Sequence, residues 1–128
     1  MLAHPSYVMV NVSDMTRSVE FYRDKLGLKL RFDSPGWTEF DTGTTTIALH
    51  HVGGASAPPL QAGQDCEPQP GTCQIAFSVD DIETTHAELS SRGVRFVMPP
   101  TPRPQEGIVL AVAIDPDGMA VSFAQSLR

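Results

Sequence analysis

The sequence predicts an α+β fold: two βαβββ modules forming a curved, barrel-like mixed sheet with the helices outside. Three observations predict it. Short alternating apolar runs recur as strands, one type of strand-to-helix junction occurs twice, and a Pro/Gly-rich stretch separates the two occurrences. The repeated junction is Val12-Ser13-Asp14-Met15 in the first half and Val79-Asp80-Asp81-Ile82 in the second. Each opens a helix that stops at a glycine. One half-length unit would bury too little apolar surface, whereas two can pair their sheets around a cup suited to a small ligand.

Residues 7–12 alternate, with Val8, Val10 and Val12 on one face and Tyr7, Met9 and Asn11 on the other. Ser13 or Asp14 then caps a helix whose apolar stripe is Met15, Val19, Tyr22 and Leu26, ended by Gly27. Strands follow at Leu28–Phe32, Trp37–Asp41 and Thr45–His51. The polar segment from Gly53 to Gly71 reads as a linker. After it come a strand at Cys73–Val79, a helix capped by Asp80 or Asp81 with Ile82, His86 and Leu89 inward, the stop Gly93, and a strand at Val94–Val97. Residues 98–107 carry four prolines and are expected to form a loop. Strands at Ile108–Ile114 and Met119–Ala124, joined by Asp115-Pro116-Asp117-Gly118, complete the pattern.

The 128 residues suit one domain, 1–128, with module one at about 5–52, the linker at about 53–71 and module two at about 72–126. Nine basic and fifteen acidic residues leave a formal charge of −6 without a basic cluster, which argues against nucleic acid and anionic membranes as partners. No apolar run approaches the ~20 residues of a bilayer span. The N-terminus has no basic region followed by an apolar one, so a cytoplasmic location is expected, with Cys66 and Cys73 reduced. Their spacing matches no zinc motif.

The segment VNVSDMTRSVEFYRDKLGLKL resembles the opening module of the vicinal oxygen chelate superfamily, which holds glyoxalase I, bleomycin resistance proteins and extradiol dioxygenases. IAFSVDDIETTHAELSSRGVRF resembles the second opening, and AIDPDGMAVSF its closing hairpin. Metal-dependent members place one ligand on each of four strands, where a divalent ion polarises a carbonyl or binds a catechol beside dioxygen. The resemblance puts Tyr7, Ala48, Gln74 and Ser122 at those four positions. Tyrosine, alanine, glutamine and serine make no ordinary divalent site, so no metal and no other cofactor is expected.

The resemblance to the metal-free members therefore implies a homodimer that binds a small organic ligand. The expected lining is Tyr7, Met9, Asn11, Trp37, Ala48, His50, Gln74, Ser78 and Ser122, with small alanines leaving volume. Trp37, Phe32 and Phe40 are candidates for stacking on a planar ligand, although Phe40 fits the core better. The alternative is a metal-dependent lyase, isomerase or dioxygenase with a non-standard ligand set, or a metal-free enzyme using His50 or Tyr7. His50, two residues beyond Ala48 on the same face, is the candidate catalytic base or displaced ligand. A third reading is an interaction module whose cup is vestigial.

Overall fold

The computed structural model describes residues 4–54 and 73–128, together with 2, 70 and 71. The chain divides into two compact units, Met1–Ser56 and Ala57–Arg128. Each holds one βαβββ module and one four-stranded mixed sheet. Most of the expected linker, residues 55–69, lies outside the described residues, as does Cys66. Among the described residues, no helix is long and apolar enough to cross a membrane.

In the first unit, β1 (Tyr7–Val12), β2 (Lys29–Phe32), β3 (Trp37–Asp41) and β4 (Thr46–His51) form a sheet in the order β1-β4-β3-β2. The β1–β4 pair is parallel and the other pairs antiparallel. Helix α1 (Met15–Val19) begins at Asp14, whose carboxylate accepts the Arg17 N–H at 3.0 Å. That choice between Ser13 and Asp14 follows from an extended backbone at Asp14, which aims its side chain at the first unpaired amides. The apolar face of the sheet carries Val10, Val12, Phe40 and Leu49, all buried. Tyr22 is fully buried and its ring lies 6.2 Å from that of Phe40.

The expected helix is present but not uniform. After Val19 it continues as a π-helical stretch, Glu20–Lys25, with the Leu26 amide donating to the Phe21 carbonyl five residues back. The repeat explains this. From Met15 to Gly27 is twelve steps, whereas from Ile82 to Gly93 is eleven. The first module has one residue more between equivalent landmarks, and wider hydrogen-bonded turns absorb it. Gly27 and Gly93 both take the left-handed conformation, with φ of 80° and 87°.

In the second unit, β5 (Ile75–Ser78), β6 (Arg95–Arg103), β7 (Ile108–Ile114) and β8 (Ala120–Ser126) form a sheet in the order β5-β8-β7-β6. Helix α2 (Ile82–Ser91) is capped by Asp81, which accepts the Thr84 N–H at 3.1 Å. A further unpaired amide, that of Ile82, donates to Gln125 at 2.7 Å. Phe77 stacks on Phe123, and Phe96 meets both Phe123 and His86, so the inward His86 of the helical stripe is an aromatic packing residue. At the closing hairpin, the Asp115 carboxylate accepts the amides of Asp117 and Met119, and Gly118 takes φ 84°.

The proline-rich stretch corrects the sequence reading. Residues 98–103, expected in a loop, continue β6, and only the turn before Ile108 leaves the sheet. β6 is an edge strand, so a proline without an N–H can face away from the ladder, and the strand absorbs the rest in two register shifts, at Phe96/Met98 and Met98/Thr101.

Candidate functional site

The face of the first sheet opposite α1 follows from the register. Tyr7, Met9 and Asn11 of β1 sit beside Thr46, Ala48 and His50 of β4, and these beside Asp41, Glu39 and Trp37 of β3. A bulge between Leu30 and Phe32 adds to it. Phe32, not Arg31, pairs with Glu39, and the extra residue turns Arg31 toward the same face. There the Arg31 guanidinium donates to Glu39 Oε1 at 3.1 Å and to the Thr46 hydroxyl. The Trp37 indole N–H donates to the other carboxylate oxygen at 2.9 Å. First the indole and then the guanidinium hold the Glu39 carboxyl below the ordinary carboxylate range, so it is ionised at neutral pH.

Trp37 is fixed from behind as well. The Ser34 hydroxyl donates to the Trp37 carbonyl and accepts the Trp37 amide. This short turn after β2 sets where the indole leaves the sheet. The indole then packs edge-to-face with the Tyr7 ring, centroids 5.5 Å apart, and beside the His50 ring, centroids 6.0 Å apart. His50 Nδ1 lies 3.1 Å from Asn11 Oδ1, its register partner. Tyr7, Met9 and Phe32 are about half exposed, so the face presents aromatic and thioether surface to solvent. Phe40 is fully buried in the core, as its alternation with Glu39 requires.

On the second sheet Ala76 pairs with Ser122 and Ser78 with Ala124, which puts the expected residues Ser78 and Ser122 on one face, while Gln74 lies just before β5. The Ser122 hydroxyl donates to Gln74 Oε1 at 3.3 Å. Gln74 and Ser78 are exposed, whereas Ser122 is buried. The neighbours of Ser122 on this face are apolar. Val97, Val112, Ile114 and Ala120 form a buried cluster, with Met98 and Leu110 packed against it. Ala48 of the first sheet has no exposed surface, so the open volume expected beside it is absent and it offers a ligand no contact of its own.

A divalent metal of the kind implied by the resemblance finds poor donors here. Ala48 supplies no donor, Ser122 is a neutral hydroxyl, and the Gln74 oxygen accepts from Ser122. Glu39, the carboxylate beside Ala48, has a hydrogen bond on each oxygen. Among the described residues no group of three or more His, Cys, Asp or Glu side chains is placed to hold a metal. The donor set does not fit the ion.

The sequence reading brought Tyr7, Asn11, Trp37 and His50 together, and the first sheet does so. It missed Glu39, Arg31 and Thr46. Alternation from Trp37 places Glu39 on the same face and could have found it. Arg31 could not be found that way, because its direction depends on a bulge.

The chain matches the family model described as Glyoxalase/Bleomycin resistance protein/Dioxygenase superfamily over residues 4–123. It is 30% identical to a lactoylglutathione lyase of Haemophilus influenzae, over 94% of this chain and 90% of that one. It is 27% identical to the lactoylglutathione lyase of Schizosaccharomyces pombe over 88% of this chain, but spans only 44% of that longer protein. Among solved structures it is similar to TnmS3, an antibiotic binding protein from a Streptomyces species, with a TM-score of 0.72 and 25% identity over 98% and 97% of the two chains. With its two βαβββ modules in place and nearly its whole length matched, the chain belongs to the glyoxalase/bleomycin resistance protein/dioxygenase superfamily.

Proposed function

We propose that the chain holds a small organic ligand on the open face of its first sheet, without a catalytic metal. The observation that carries this reading is the state of the Glu39 carboxylate beside Ala48. Glu39 is bound on both oxygens by Trp37 and Arg31, while the four positions used for metal in related enzymes hold Tyr7, Ala48, Gln74 and Ser122. The wiring orients an indole and leaves aromatic faces outward, which suits a planar ligand. Likeness to an antibiotic binding protein supports the same class of function. A homodimer, also proposed, is checked by light scattering.

A second reading, an enzyme of the lyase type, is favoured by the similarity to lactoylglutathione lyases and by His50 held against Asn11. Thermal unfolding with Ni, Zn, Mn, Fe(II) and a chelator separates the two. A metal at 100 times its dissociation constant stabilises a fold by about 2.7 kcal/mol. The ligand-holding reading expects no melting shift with any of the four. A shift reversed by chelator would overturn it in favour of the enzyme.

A further inference from the structure

The polar groups on the first sheet's open face are not equally available to a ligand. The Trp37 indole N–H is engaged by Glu39, and the Arg31 guanidinium by Glu39 and Thr46. The charges are also arranged in pairs, since Lys29 stands opposite Asp41 in the register as Arg31 stands against Glu39. His50 is different. Its Nδ1 lies 3.1 Å from Asn11 Oδ1, and an amide oxygen only accepts, so this contact is a hydrogen bond in the tautomer that carries its proton on Nδ1. In that tautomer Nε2 keeps a lone pair, and it has no hydrogen bond among the described residues. The ring is half-buried and lies beside the Trp37 indole, centroids 6.0 Å apart.

We infer that His50 Nε2 is a fixed hydrogen-bond acceptor that selects neutral planar ligands carrying an O–H or N–H donor beside their ring. This rests on the ligand-holding reading above and names the class of ligand. The flat part lies against Trp37 and the exposed Tyr7 ring, and the donor points to Nε2. An anion is disfavoured twice over. It meets an acceptor lone pair at His50, and the nearby guanidinium is already bound to a carboxylate. The second module carries no counterpart, because Ala124 follows Ser122 on β8 as His50 follows Ala48 on β4.

Two measurements test it on the full chain. Long-range proton–nitrogen NMR on nitrogen-labelled protein, at a pH where the imidazoles are neutral, reads the tautomer. The His50 signals are identified by their loss in His50→Phe. A proton on Nδ1 is expected, and a proton on Nε2 overturns the inference. Calorimetry then compares naphthol with its methyl ether, which keeps the ring and lacks the donor. Naphthol is expected to bind about tenfold more tightly, with the difference lost in His50→Phe and reduced in Asn11→Ala. Equal or reversed affinities in the wild type overturn the proposed selectivity. Trp37 is the only tryptophan, so its single indole N–H resonance shows whether either probe reaches this face. An Nδ1 proton with no probe moving that resonance sinks the ligand-holding role of the face itself. Binding with the opposite tautomer sinks the acceptor inference alone.

Discussion

The two sheets present equivalent faces with opposite contents. In the first module the neighbour of Ala48 on β3 is Glu39, and in the second the neighbour of Ser122 on β7 is Val112. The correspondence extends along the strands. Trp37, Glu39 and Asp41 answer to Leu110, Val112 and Ile114, each set spaced by two residues and paired to the last strand of its sheet. Even the bulge is repeated, between Leu30 and Phe32 on β2 and between Phe96 and Met98 on β6. One bulge turns Arg31 onto a carboxylate, whereas the other lies at Val97 and Met98 of a hydrophobic cluster. The backbone frame therefore does not decide what a face does. A few side chains at equivalent positions make one face a polar, aromatic surface and give the other a buried apolar cluster.

Exchanging the central residue of each face should break this contrast most sharply. Val112→Glu places an unpartnered carboxylate where 2% of the residue is exposed, and should cost about 3 kcal/mol or more or prevent folding. Glu39→Val removes a partly exposed group and should cost far less. Urea unfolding of both variants measures the difference, and similar losses would show that the faces are not distinct in kind.

The helix junctions should instead behave alike. Asp14→Ala and Asp81→Ala each remove the side-chain acceptor for one amide at a helix start, and each should lower stability by about 1 kcal/mol. A much larger loss at one of them, in the same unfolding experiment, would mean that the duplicated junctions have diverged in energetic role.

The smallest effect expected is a pH dependence. The folded state lowers the Glu39 carboxyl below its ordinary value of about 4.5, so its contribution is fully present above that pH and is lost on further acidification. The advantage of the wild type over Glu39→Gln in melting temperature should therefore be small at neutral pH and shrink as the pH falls below that value. An advantage that grew on acidification would show that the indole and guanidinium do not favour the ionised form.

Most of this architecture was legible from local patterns. Val8, Val10 and Val12 against Tyr7, Met9 and Asn11 already define two faces, because side chains alternate along a strand. The helix stops at Gly27 and Gly93 were equally plain. The proline-rich end of β6 was not, since a proline is tolerated or rejected according to whether the strand lies at an edge. The site was half legible. Trp37 and His50 were recognisable by type and alternation, but the contact between Arg31 and Glu39 depends on a bulge without a local signature.

By itself, the sequence determined the order of elements, the duplicated junctions and which residues share a strand face, because these follow from side-chain period, capping chemistry and glycine conformation over a few neighbouring residues. Tertiary structure alone decided three further things: that an extra helical residue is taken up in a π-helical stretch, that β6 runs on through its prolines, and that Glu39 is held by Trp37 and Arg31. Each depends on partners distant in sequence or on hydrogen-bond register, and neither is encoded in any short window of residues.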